Sequence, residues 1–205
     1  MWKPRAEELV AFESGADKRY LAHVEALRRA PSTGKVAPLE PSVHAPWPHL
    51  VGRGKYGEFP LVVVSEHFRS RGYTVWFCEP ALEKYAHPDF VGFMLLSYPG
   101  RRRTAHPAYK RMQDVFGKAT VERLNAEADR AKLQVDQGNG NRGGGDPDLF
   151  VFKGRERFFV EVKWKDHITE KQRVTFPLIE RHCGVRIKIA RIYERGKPSR
   201  RLRDA

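Results

Sequence analysis

The stretch from Asp136 to Lys163 constrains the fold of this chain more than any other. The run Asp136-Gln137-Gly138-Asn139-Gly140-Asn141-Arg142-Gly143-Gly144-Gly145 is too polar and glycine-rich for a regular element, and it ends at Asp146-Pro147-Asp148. Two short apolar runs follow, Leu149-Phe150-Val151-Phe152 and Arg157-Phe158-Phe159-Val160-Glu161-Val162-Lys163. Lys153-Gly154-Arg155-Glu156 separates them, which is the pattern of a β-hairpin. Successive side chains of a strand alternate faces, so Glu161 and Lys163 share one wall while Val160 and Val162 turn into an apolar layer. Asp148 precedes Glu161 by 13 residues, and a hairpin folded about Gly154 brings the two carboxylates together at one end of a sheet.

Adjacent carboxylates repel, and one of them holds its proton at neutral pH unless a cation lies between them. A hard divalent ion, Mg²⁺ or Mn²⁺, resolves the conflict. Asp148, Glu161, the backbone carbonyl of Val162 and water make a reasonable shell, in which a bound water is acidified and a phosphoryl oxygen polarised. Lys163 then orients or helps deprotonate the attacking water, or stabilises charge developing on the phosphate. Glu-Val-Lys alone is ordinary strand alternation, and Pro-Asp after glycines is an ordinary turn; the metal site is argued from their combination.

The rest of the chain supplies the frame. Pro4, followed by Leu9, Val10, Phe12, Tyr20, Leu21, Val24 and Leu27, predicts one or two amphipathic helices ending before Pro31, an N-terminal helical arm. Five prolines within residues 31–48 read as an extended linker. From Glu58 a helix is expected, with Pro60 in its first turn and Gly72 past its end, and then a strand, Tyr73 to Phe77. Three consecutive valines weaken that helix, which rests on its punctuation. A helical region from Pro107 to about Val135, interrupted near Gly117, reads as an insertion packed beside the core. A helix from about Thr169 to Cys183 and a strand Val185 to Ala190 complete the order. Together these predict an α/β fold with a central mixed sheet flanked by helices. The expected organisation is an arm and linker over 1–48, a catalytic domain over 49–193 with an insertion at about 79–144, and a basic tail over 194–205.

Lys and Arg total 38 against 25 Asp and Glu, a formal net charge of +13, which favours a polyanionic partner, of which nucleic acid is the commonest. Arg101, Arg102, Arg103, Lys110 and Arg111 form a cluster without acids, and Lys165 lies beside the hairpin; such cations suit phosphate contacts that position a duplex without reading sequence. Cys78 and Cys183 form no CxxC or His-rich motif, so neither zinc nor a disulfide framework is signalled. The N-terminus lacks a signal-peptide pattern, and no window approaches the roughly 20 apolar residues of a membrane span. The expectation is a soluble, intracellular protein, cytoplasmic or nucleoid-associated, with no membrane partner and no small-molecule cofactor.

The pairing of Gly145-Asp146-Pro147-Asp148-Leu149 with Phe159-Val160-Glu161-Val162-Lys163 resembles the signature of PD-(D/E)XK, restriction-endonuclease-like nucleases. The continuation Asp166-His167-Ile168-Thr169-Glu170-Lys171-Gln172 is similar to that of VRR-NUC domains, in which an acidic residue, an aliphatic, a Ser or Thr and a Gln follow the strand. The likeness spans residues 145–190, with a looser match at 58–77. It implies a metal-dependent endonuclease that cleaves branched, flapped or junction DNA. It assigns Asp148 and Glu161 as metal ligands, Lys163 as the catalytic lysine and Gln172 as an active-site helix residue. A further acid on the helix before the first strand matches Glu58, with Glu66 as competitor. Gln172 also completes an S/T-x-x-Q capping box, so a structural role stands beside the functional one. A homodimer, with two sites addressing two strands, is expected from the resemblance alone. The competing readings are a catalytically silent nucleic-acid-binding module and a restriction-type or RNA-directed nuclease.

Overall fold

The computed structural model describes residues 7–29, 59–78, 91–96, 106–135 and 145–197. Its centre is a five-stranded mixed sheet of order β1-β5-β4-β3-β2. The strands are β1 (Glu7–Phe12), β2 (Thr74–Phe77), β3 (Leu149–Lys153), β4 (Glu156–Lys163) and β5 (Ile187–Glu194). β3 runs antiparallel to both β2 and β4, whereas β5 lies parallel to β4 and to β1. Helices α1 (Ala16–Arg29), α2 (Phe59–Arg69), α3 (Pro107–Phe116), α4 (Lys118–Val135) and α5 (Glu170–Cys183) cover the sheet.

The hairpin forms as its alternation requires, with Lys153 opposite Glu156 and Leu149 opposite Val160. Phe158, Val160 and Val162 enter a core shared with Ala16, Tyr20, Phe59, Val62, Val64 and Phe68 of α1 and α2. Phe150 and Phe159 enter a second core on the other face, with Tyr109, Met112, Leu124, Phe176 and Ile179 of α3, α4 and α5. The cross-strand pair Phe150 and Phe159 has ring centroids 4.9 Å apart, so the two strands hold one another through the second core. The helices of the region read as an insertion packed beside the core form one wall of that core.

The valines of α2 are tolerated because burial outweighs propensity: Val62 and Val64 are fully inside, and each such side chain contributes about 1.5–3 kcal/mol. A break at Gly117 separates α3 from α4, as the sequence indicates.

The N-terminal expectation fails, and the last strand runs on to Glu194 instead of ending at Ala190. Leu9, Val10 and Phe12 do not begin a helical arm; residues 7–12 form a parallel edge strand against β5, with Glu7 beside Ile189 and Phe12 beside Glu194. Val10 and Phe12 face the first core and Leu9 the solvent, so the operative period is two. The helix of this region starts only at Ala16. The proline-rich stretch 31–48 and the basic tail beyond 197 lie outside the described residues. Among the described residues no helix is long and apolar enough to cross a membrane.

Candidate active site

β4 outruns β3 by three residues, and this overhang creates the site: the last cross-strand pair is Leu149 with Val160, while β4 continues to Lys163 alongside β5. The Phe159 N–H donates to the Arg186 carbonyl on the β5 side at 2.9 Å. Backbone groups of a strand alternate sides, so the Val162 N–H and C=O face the edge that β3 leaves open. Asp148 takes that edge, its Oδ2 accepting from the Val162 N–H at 2.7 Å. Its own carbonyl accepts from the Cys78 N–H at 2.8 Å, which ties the residue to the end of β2.

The approach to Asp148 is held by two contacts. Thr175 Oγ1 of α5 donates to the Gly145 carbonyl at 2.7 Å, and Asp146 Oδ1 accepts from the Leu96 N–H at 2.8 Å. Gly145 has φ +95°, and a Cβ there would lie 2.9 Å from the Thr175 methyl, so the last glycine of the run is required both by conformation and by space.

Glu161 is 2% exposed on the α5 side of the sheet. Its Oε1 accepts from Lys163 Nζ at 2.8 Å and from Gln172 Nε2 at 2.6 Å, while its buried Oε2 has no hydrogen-bond partner. Lys163 Nζ also donates to Asp166 Oδ2 at 2.9 Å, and Asp166 Oδ1 accepts from the Trp164 N–H at 3.2 Å. The Lys163 ammonium is therefore clamped between two carboxylates.

Gln172 does two jobs with one amide. It stands at the third position of α5, where its N–H donates to Thr169 Oγ1 at 3.2 Å and its Oε1 accepts from the Thr169 N–H at 3.0 Å, a complete capping box. The carboxamide left over, Nε2, reaches Glu161. The structural and functional roles of this residue are one geometry.

Burial raises the Asp148 carboxyl to about 6, against the opposing pull of the Val162 N–H and the Lys163 charge. Burial, then the charge of Asp148, pushes Glu161 well above the ordinary carboxylate range, with Lys163 and Gln172 offsetting part of it. Burial acts to lower Lys163, yet Glu161 and Asp166 outweigh it and hold the ammonium above its usual value. Asp166 moves the other way: burial opposes ionisation, and Lys163 overcomes it and lowers the carboxyl. The oxygens that could hold a hard cation here are those of Asp148 and the unpartnered Oε2 of Glu161. Among the described residues no group of three or more His, Cys, Asp or Glu side chains is arranged to hold a metal; the donors in hand are two carboxylates and the Val162 carbonyl.

Of the other expected residues, Glu58 lies outside the described residues, although Phe59 beside it packs on Trp164 just past β4, with ring centroids 5.8 Å apart. Glu66 is not brought to the site; its side chain is 39% exposed and pairs with Arg69 at 3.6 Å. Arg101, Arg102 and Arg103 lie outside the described residues. Lys110 is exposed on α3, while Arg111 turns inward, donating to the Gly92 carbonyl with its guanidinium 5.7 Å from the centre of the Trp76 ring. Lys165 is exposed and sits 4.6 Å from the centre of the Trp164 ring. His67 and His182 each pair with a glutamate, Glu8 and Glu127. From the sequence Asp166 reads both as the acid of the 166–172 likeness and as a loop or capping residue, and Thr175 has no part; the i, i+3 spacing of Lys163 and Asp166 is the one signal for their pairing.

Comparison of the chain with family profiles, with curated proteins and with solved structures returned no match.

Proposed function

We propose that this protein is a divalent-metal-dependent endonuclease of the PD-(D/E)XK type, VRR-NUC-like, which hydrolyses phosphodiester bonds of branched, flapped or junction DNA. The observation that carries the reading is the convergence of Asp148, Glu161 and Lys163 on the open edge of β4, with Glu161 Oε2 buried and unpartnered. The Pro-Asp and Glu-Val-Lys pattern and the net charge of +13 support it from the sequence.

Asp148, Glu161 and the Val162 carbonyl would hold Mg²⁺ or Mn²⁺, with Glu58 as a candidate further acid. A bound ion of this kind acidifies a water and polarises a phosphoryl oxygen. Gln172 Nε2 and Lys163 Nζ both bond Glu161 Oε1, which leaves Oε2 without a hydrogen-bond partner. Lys163, kept protonated by Glu161 and Asp166, is suited to orienting the attacking water and to countering charge that develops on the phosphate. Lys110 and Lys165 are exposed cations whose charge suits phosphate contacts along the duplex.

The test is a side-by-side digestion of linear duplex, flap, four-way junction and RNA in Mg²⁺ by the full chain, with products resolved on a gel. Preferential cutting of a branched DNA is expected. Binding of these substrates without cutting any of them would replace the proposal with a silent binding module, and cutting of RNA alone would move the substrate class.

A further inference from the structure

Arg191 of β5 stands outside the constellation just described. It is 8% exposed, and its Nε–H is buried with no hydrogen-bond partner. A charged donor left in this state costs free energy, and the arrangement persists only where something else compensates or an acceptor arrives. In the parallel register Arg191 lies directly beside Lys163, one strand away, a spacing of about 4.8 Å. Ala190 and Ile192 face the first core and Ile187 the second, so Arg191 projects on the same side of the sheet as Glu161 and Lys163.

The partner that Arg191 does have is Glu7 of β1, whose Oε1 accepts from Nη2 at 3.0 Å. Nε and Nη2 form one edge of the guanidinium, the edge that grips two oxygens of a carboxylate or phosphate at once. Glu7 uses half of it with one oxygen, and the glutamate side chain is 46% exposed, within reach of replacement from solvent.

We infer that Arg191 is a phosphate-binding residue of this site, whose Nε and Nη2 grip a backbone phosphate of the nucleic acid next to Lys163, and that Glu7 holds the guanidinium in place until the phosphate displaces it. The inference rests on the nuclease reading. It extends the row Asp148, Glu161, Lys163 by one strand, so that a phosphodiester backbone laid across the strand ends meets carboxylates first and then two cations. It also gives the edge strand β1 a part in the site, through Glu7.

The test is anisotropy of a labelled branched DNA with the full chain in Ca²⁺, over a salt series, for wild type, R191Q, R191K and E7Q, with thermal unfolding of each. R191Q should weaken binding roughly tenfold and lower the slope of log affinity against log salt by about 1. R191K should recover only part, because an ammonium cannot form the fork. E7Q should tighten binding about two- to fivefold, since a competing carboxylate is neutralised. If R191Q fails to fold, E7Q carries the test: a pair that merely ties β1 to β5 predicts lost stability with no gain in binding, and that result overturns the inference. Wild type that binds, with R191Q unchanged in affinity and salt slope, overturns the Arg191 assignment alone. Wild type that does not bind DNA at any salt overturns the nuclease reading, and Arg191 with it.

Discussion

Replacing Asp148 by Asn keeps the size and an oxygen acceptor for the Val162 N–H but removes a charge that the fold resists. The folded carboxyl ionises at about 6 against an ordinary value of 3.8, and at about 1.4 kcal/mol per pH unit that difference is roughly 3 kcal/mol against the ionised form. Asp148 is half-buried, so solvent screens part of it and on the order of 1–2 kcal/mol remains. The sign follows from proton binding. Between pH 3.8 and about 6 the unfolded chain has released a proton that the folded chain still holds, so stability falls as pH rises through this window and stays low above it. Asp148→Asn should therefore be more stable than wild type at pH 8 in EDTA, and the advantage should vanish near pH 4. Paired urea melts at the two pH values read this directly. A variant less stable than wild type at pH 8 by as much as at pH 4 would refute the argument that Asp148 is held at a cost in the folded state. Such a cost is the usual mark of a site kept for function.

Three further substitutions separate chemistry from scaffolding. Lys163→Ala should lower the cleavage rate by about 10²–10³ with DNA affinity changed only a few-fold, read by single-turnover kinetics beside anisotropy; unchanged turnover would remove Lys163 from the mechanism. Gln172→Ala keeps the Thr169 N-cap bond but loses the side-chain half of the capping box and a bond to a buried carboxylate, so a loss of roughly 1–3 kcal/mol in a urea melt is expected together with slower cleavage. A purely stabilising role would leave the rate intact under conditions where the variant is folded. Gly145→Ala forces a Cβ to 2.9 Å from Thr175 at a positive φ; a loss of about 1–3 kcal/mol by thermal unfolding is expected, and wild-type stability would show that this approach has slack.

The hairpin and α5 were legible because their signals are local: period-two alternation about Gly154, and a capping box from Thr169 to Gln172 closed by Gly184 in the left-handed conformation. With the hairpin in hand, the meeting of Asp148 and Glu161 followed, since register alone sets it. β1 was not legible. Leu9, Val10 and Phe12 satisfy a helical spacing as well as a strand, and what decides between them is pairing with β5, some 180 residues away, which no local window contains. Arg111 misled for a related reason: within a basic cluster it reads as a phosphate contact, yet Gly92 and Trp76 occupy its guanidinium. The pairing of Asp166 and the placement of Arg191 were not legible because each is set by a neighbour of Lys163, one through a loop and one through the parallel register.

In the proposed function, Asp148 and Glu161 hold a divalent ion that makes this chain a nuclease. The most direct measurement is cleavage of a branched DNA by wild type, Asp148→Ala and Glu161→Gln across a titration of Mg²⁺ or Mn²⁺, with EDTA as the zero point. Cutting should rise with metal in the wild type, be absent in EDTA, and be lost in both variants while they still bind DNA. Cutting that persists in EDTA, or in either variant at the wild-type rate, would contradict it.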